Sequence, residues 1–301
     1  MNNQEKAIAR ILFENKIFKA NGQAFQDLFT AIMTQADSEF RKIKAWGNIG
    51  DQKNDGYIES KGVYYQVYAP EDITKSYTNL ISKINTDFNG LVEQWKNIKE
   101  FYFVINDKFL GVNPESEKTI TELKNDFPFL KISKFYTADD LMKQLFLLDN
   151  AFIQAQIGFL PNIDNINLDI TVLNEVVAYI MEQPLPINDT NITAPNWEEK
   201  IQFNNLNNYN ADLLNKSSFM LGELEKYLNL KTTLADDLQR QLTQIYIDIR
   251  TEWKDVKAEN NNIFWEIVNR CTPKKGSAYQ NAVLTIMAKY FESCDIFEEP
   301  K

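Results

Sequence analysis

The chain has 301 residues, 44% hydrophobic and 13% aromatic, which excludes global disorder and exceeds what one small core needs, so two domains are expected. A net charge of −10 argues against a general nucleic-acid coat protein, while leaving room for a nuclease with one locally basic cleft. The chain contains no histidine, which removes Ser-His-Asp and Cys-His machinery, His-zinc sites and histidine-based nucleases, so any hydrolysis must use carboxylates, lysine, tyrosine or an oxygen-held metal.

Ala7 to Phe18 and Gly22 to Arg41 read as helices. In the second, Phe25, Leu28, Phe29, Ile32 and Met33 recur at spacings of three and four, and Glu39 falls near its end. Two short strands follow, one closing the turn Gly50 to Asp55 and one along Val63-Tyr64-Tyr65-Gln66-Val67-Tyr68. Ala69-Pro70-Glu71-Asp72 starts a helix towards Trp95, with Tyr77, Leu80, Ile81, Ile84, Phe88 and Leu91 inward. Phe101 to Ile105 is a buried-type strand ending at Asn106-Asp107, and Ile120 to Phe127 is a short helix. Leu130 to Phe135 alternates as a strand whose lysines also fit an edge, and Thr137 caps a helix through Leu148. The expected fold of residues 1–160 is therefore α/β, a small central mixed sheet flanked by helices.

A Pro161 and Asn/Asp-rich stretch between Gly158 and Asn167 marks a boundary, beyond which residues 161–301 read as all-α. Ile170, Leu173, Val176, Val177 and Ile180 form one stripe, ended by Pro184 and Pro186. Further helices are expected at about Asn210 to Leu228, Leu234 to Lys257, Asn262 to Arg270 and Tyr279 to Phe291, with Trp197, Trp253 and Trp265 as core or interface anchors. No run spans a membrane and the start shows no signal-peptide pattern, so a cytoplasmic location is expected. Cys271 and Cys294 lack metal-type spacing and read as buried thiols in a reducing compartment.

The stretch from Asp51 to Tyr68 carries the chemistry. A turn carboxylate, Asp55, and a strand amide, Gln66, on neighbouring strands can meet at one sheet edge, an arrangement suited to a hard divalent cation. Each residue also has an ordinary reading. Asn54-Asp55-Gly56 is a common turn, Glu39 a common surface residue, and Tyr64, Tyr65 and Tyr68 common packing residues. Arg41, Lys42, Lys44, Lys53 and Lys61 cluster around the motif, and a solvated surface explains them at least as well as a cleft.

Glu39, Gly50-Asp51, Asp55-Gly56-Tyr57 and Tyr65-Gln66-Val67-Tyr68 together resemble the restriction-endonuclease-like superfamily, and within it the Mrr and Cap4-type branch. Lys53-Asn54-Asp55-Gly56-Tyr57 followed by Tyr65-Gln66-Val67-Tyr68-Ala69-Pro70-Glu71 is also similar to effectors of three-component ABC-ATPase conflict systems, to which Lamassu-type anti-phage defence is similar. Phe103-Val104-Ile105-Asn106-Asp107 fits the same set. Lys200 to Leu206 and the more specific run Tyr290-Phe291-Glu292-Ser293-Cys294-Asp295-Ile296-Phe297-Glu298 resemble those effectors' C-terminal helical domain.

The resemblance implies magnesium (or manganese) bound by Asp55, Gln66 and the Val67 carbonyl, with Glu39 orienting the site. It also implies hydrolysis of double-stranded DNA under control of an SMC-like ABC ATPase and a small third subunit, with self-association through the helical domain. One position departs from the pattern: Tyr68 stands where the family has its catalytic lysine, leaving Lys53, Lys61 and Lys75 as sources of a cation. The alternative is a catalytically inactive nuclease fold that binds DNA or scaffolds the ATPase complex.

Overall fold

The computed structural model describes residues 1–44, 52–158, 160, 166–183, 197–229, 233–293 and 295–300. It divides into two compact units, one of Lys16–Ile153 and one of Met1–Asn15 with Gln154–Lys301. The helix α1, Asn3–Lys19, thus gives most of its length to the unit that also holds the C-terminal helices, whereas the sequence pattern groups it with the sheet.

In the Lys16–Ile153 unit five strands stand in the order β1 (Arg41–Lys42), β2 (Gly56–Ile58), β3 (Val63–Tyr68), β4 (Glu100–Ile105) and β5 (Ile132–Tyr136). The first three pair antiparallel, and β3, β4 and β5 pair parallel through the crossover helices α3 (Ile73–Gln94) and α4 (Pro114–Asp126). The expected small mixed sheet is present. Side chains alternate across β3, as a pleated strand requires. Tyr64 joins Leu80, Ile84, Phe88 and Leu91 of α3 in one core cluster. Tyr65 turns to the other face, where its ring lies 5.5 Å from Phe29 of α2 (Gln23–Ala36). β4 is covered on both faces and reads as a near-continuous apolar run, while β5 is an edge with Lys134 exposed.

Two boundaries depart from the sequence pattern. α2 stops at Ala36 instead of reaching Arg41, because Arg41 and Lys42 pair with Tyr57 and Gly56 as a third antiparallel strand. Glu39 therefore lies in a turn beyond the helix. Downstream of β4, Lys108 is buried and its ammonium donates to the carbonyls of Ile17, Phe18 and Ala20 and to Asn21 Oδ1, at 2.7 to 3.0 Å. Asn106 Nδ2 donates to two of the same carbonyls, those of Ile17 and Ala20. The Asn106-Asp107-Lys108 run thus caps the C-terminal end of α1, and Asp107 accepts from Ala138 N–H at 3.0 Å at the start of α5 (Ala138–Leu145). Thr137 and Asp140 close the capping box of α5. α6, Asn150–Ile157, ends the helices on this side of the boundary stretch.

The other unit contains α7 (Ile170–Met181), α8 (Trp197–Phe203), α9 (Asn208–Ser218), α10 (Leu221–Leu228), α11 (Leu234–Glu252), α12 (Asn260–Cys271) and α13 (Ser277–Glu292). The single helix expected at Asn210 to Leu228 is two, broken at Phe219-Met220. α13 is apolar on nearly all sides and correspondingly buried, with Ala282, Leu284, Ile286 and Met287 inaccessible. The asparagine-rich patch has a structural use. Asn204 Nδ2 donates to Glu298 O at 2.7 Å, while Asn261 Oδ1 accepts from Asn207 N–H and Asn210 Nδ2, both at 2.9 Å. Trp265 Nε1 donates to Asn210 Oδ1 at 3.0 Å, so this Trp is a fully buried anchor, as expected. Cys271 is a buried free thiol, and Cys294 lies outside the described residues. Among the described residues no helix is long and apolar enough to cross a membrane.

Candidate functional site

Asp55 sits at the N-terminal end of β2, where its main-chain N–H donates to Tyr65 O at 2.9 Å and its carbonyl accepts from Ile43 N–H at 3.1 Å. Its carboxylate replaces the next main-chain acceptor of the ladder, taking the N–H of Val67 on Oδ2 at 2.6 Å. The other oxygen, Oδ1, accepts from Gln26 Nε2 on α2. A buried carboxylate is thereby fixed against the Gln66–Val67 peptide by two donors from two elements. Gly56 follows, and a Cβ built there would collide with the Phe40 ring, so the strand start needs glycine for close approach.

Gln66 is buried, and its Oε1 has no hydrogen-bond partner. By strand alternation its side chain shares the face of Tyr64 and Tyr68. An unpaired buried amide oxygen costs about 1–3 kcal/mol and calls for an explanation. In kind, the donors fit magnesium, which takes one or two carboxylates and completes its shell with water and phosphate oxygens. The set is sparse: among the described residues no three acidic or cysteine side chains converge as a metal cluster.

The remaining expected residues stand as follows. Glu39 is exposed and accepts from Ser60 Oγ in the turn after β2, so the length of that strand separates it from Asp55. The helical side chain that reaches Asp55 is Gln26, which the sequence pattern did not single out, being one polar residue among several on an outward helix face. Lys53 pairs with the buried Asp87 at 3.0 Å, Lys61 with Asp37 at 2.5 Å and Lys75 with Asp72 at 2.7 Å. The hydrogen bond from Lys61 holds the Asp37 carboxyl below the usual carboxylate range. Tyr68 packs on Phe103 at 5.9 Å, and the ammonium above its ring, 5.4 Å from the centroid, belongs to Lys83 of α3. Lys83 also pairs with Asp87 at 2.6 Å. Burial pushes the phenols of Tyr65 and Tyr136 above their ordinary range, so both remain neutral packing groups. Gly50 and Asp51 of the motif lie outside the described residues.

The Asp55 carboxylate opens on a groove between α2 and the β1 segment, lined by Gln23, Gln26, Asp27, Thr30, Lys42 and Lys44 among others.

Comparison with known protein families bears on the other unit. Residues 171–298 match the family described as C-terminal domain 10 of the ABC-three component (ABC-3C) systems. That span, and not the whole chain, carries the likeness to an ABC-three component C-terminal domain. The matched span ends in the Tyr290 to Glu298 run, whose Ile296 and Phe297 fold back into the core, with Phe297 5.7 Å from Phe291 and 6.5 Å from Phe264. Lys200 of α8 reaches the same place, donating to Phe291 O at 2.9 Å. Tyr290, Phe291, Ile296 and Phe297 of that run are therefore core residues. No curated protein and no solved structure matches the chain. The family match leaves the α/β unit untouched.

Proposed function

We propose that this ABC-three component protein is the nuclease effector of its complex, with the α/β unit as a restriction-endonuclease-like, metal-dependent DNase. The observation that carries the reading is the Asp55 carboxylate, clamped by Gln26 and by the Val67 N–H beside a groove that Asp55 lines. A structural turn aspartate would cap its own turn; this one bridges a helix and a strand at the mouth of a groove. Asp55, Gln66 and the Val67 carbonyl would hold magnesium or manganese. Bound there, a divalent cation would supply an acidified water and neutralise charge on the phosphodiester. Gln26 keeps the carboxylate in one orientation, and Lys83, its ammonium 5.4 Å from the Tyr68 ring centroid, is a cation at the position where the family has lysine.

The C-terminal domain supports partner subunits in a complex and a role in antiviral defence. We assign it to docking on an SMC-like ABC ATPase and a third small subunit, and to self-association. DNA choice and release of the DNase would then rest with the ATPase, which suits an acidic effector.

The test is digestion of linear and circular duplex DNA by the co-purified complex with magnesium, using wild type and Asp55→Asn. Cleavage by wild type alone supports the reading; equal cleavage by both removes Asp55 from the chemistry. A second reading, a catalytically inactive scaffold, is favoured by the presence of one carboxylate where a cluster is usual and by the packing of Tyr68 on Phe103. It is supported if the wild-type complex leaves DNA intact.

A further inference from the structure

A second cavity, of about 370 Å³, opens at the N-terminal ends of β3 and β4 and shares no lining residue with the groove at Asp55. Its floor belongs to the sheet, because Ile58, Val63, Tyr65 and Glu100 share the face on which α2 packs. Met33 and Ala36 of α2 form an apolar wall, and Gln144 of α5 stands at the margin.

The polar groups of this cavity suit a cation. Tyr65 and Tyr102 are registered neighbours on parallel strands, with their rings stacked 5.2 Å apart. The Tyr102 hydroxyl donates to Glu100 Oε2 at 2.8 Å. The Tyr65 hydroxyl has no hydrogen-bond partner among the described residues, although the side chain is only 6% exposed. A buried polar group in that state calls for a partner. Burial, the phenols of Tyr102 and Tyr136 and the carboxylates of Glu100 and Asp37 all hold the Tyr65 phenol neutral, so its oxygen can accept as well as donate.

Glu100 makes no ion pair with any described residue. Lys61, at the mouth, is already taken: its ammonium pairs with Asp37 at 2.5 Å, and Glu39 adds to the attraction. α2 ends at Ala36, which brings the negative end of its dipole to the same place. Charge therefore excludes an anion and leaves the Glu100 carboxylate unbalanced. A hard metal ion would need more oxygen ligands than this floor supplies, whereas the aliphatic wall suits an alkyl body.

We propose that this cavity binds a small free alkylamine in its protonated form. The ammonium donates to the Glu100 carboxylate and to the Tyr65 phenol oxygen, and the alkyl chain lies on Met33, Ala36, Ile58 and Val63. The site depends on neither the nuclease reading nor the partner subunits.

The test is isothermal titration calorimetry of the full chain with cadaverine at neutral pH. Wild type is expected to bind it and to ignore hexanoate, an anion of similar length. Tyr65→Phe keeps the ring packing and removes a hydroxyl that has no partner, so the thermal melt should stay unchanged while cadaverine binding weakens about three- to tenfold. Glu100→Gln should weaken binding at least about tenfold, with its melt recorded to establish folding. Glu115→Gln, exposed in the first turn of α4, should change nothing. Absence of wild-type binding at about 10 mM cadaverine, equal binding of hexanoate, or an unchanged affinity in either Tyr65→Phe or Glu100→Gln overturns the proposal. Tighter binding of a lysine-bearing peptide than of cadaverine overturns the assignment to a free amine.

Discussion

Asp55→Ala and Asp55→Asn separate what the carboxylate does for the fold from what it does for chemistry. In the alanine variant the Val67 N–H and the Gln26 amide lose their acceptor. A hydrogen bond to a charged group contributes about 1.5–3 kcal/mol when fully buried. Val67 and Gln26 are each only half-buried, so water recovers part of both. The expected net loss is about 2 kcal/mol, a fall in Tm of roughly 4–8 °C. In the asparagine variant one amide oxygen still accepts from Val67, and Gln26 can rotate its amide to present Oε1 to the new NH2 group. That loss should stay under about 1 kcal/mol, while the charge a metal requires is gone. Thermal unfolding of both variants, read beside DNA cleavage by the same preparations, checks the division. Alanine melting at the wild-type temperature would refute the clamp, and asparagine cleaving at the wild-type rate would refute the catalytic assignment.

Lys108→Met removes the ammonium from the end of α1; Asn106 still serves Ile17 and Ala20, so Phe18 O is the carbonyl left short, at an expected loss of about 1–3 kcal/mol in urea unfolding. Burial pushes the Lys108 ammonium down to about 8. Between that value and the roughly 10.4 of an unstructured lysine, the unfolded chain keeps a proton that the folded chain has released, so stability should rise with pH across the window. Urea midpoints at about pH 7.5 and about pH 9.5 should show the rise in wild type and lack it in Lys108→Met. Gly56→Ala drives a methyl into the Phe40 ring and should cost about 1–3 kcal/mol, measurable by calorimetry. The Cys271 thiol, inaccessible and pushed up to about 12 by burial, should resist alkylation in the native protein and react in urea, as peptide mapping would report.

Much of the architecture is legible in the chain because it is periodic. The stripe from Phe25 to Met33, the alternation of β3 and the apolar run of β4 each declare their element within a few residues, and each is found where the pattern puts it. The misplacements have a common cause. Between Ala36 and Arg41 there is no proline or glycine; the helix ends where Asp37 turns extended and accepts from Glu39 N–H, and Arg41 then pairs with Tyr57, a contact made across a loop. Phe219 and Met220 likewise hold no proline or glycine, yet separate α9 from α10. The asparagine patch looks like loop composition until its amides are seen to satisfy Glu298, Asn207 and Trp265.

What the sequence alone determined is the class of each segment, the exclusion of histidine chemistry and the short stretch around Asp55 and Gln66 worth attention. Tertiary structure decided which polar groups share a place: Gln26 beside Asp55, Lys83 over Tyr68, Glu39 at the far end of the hairpin. The physical reason is range. Hydrophobic periodicity is written between residues three or four apart, whereas Gln26 and Asp55 are 29 positions apart and meet because an amphipathic helix must bury its stripe on the sheet that carries the carboxylate.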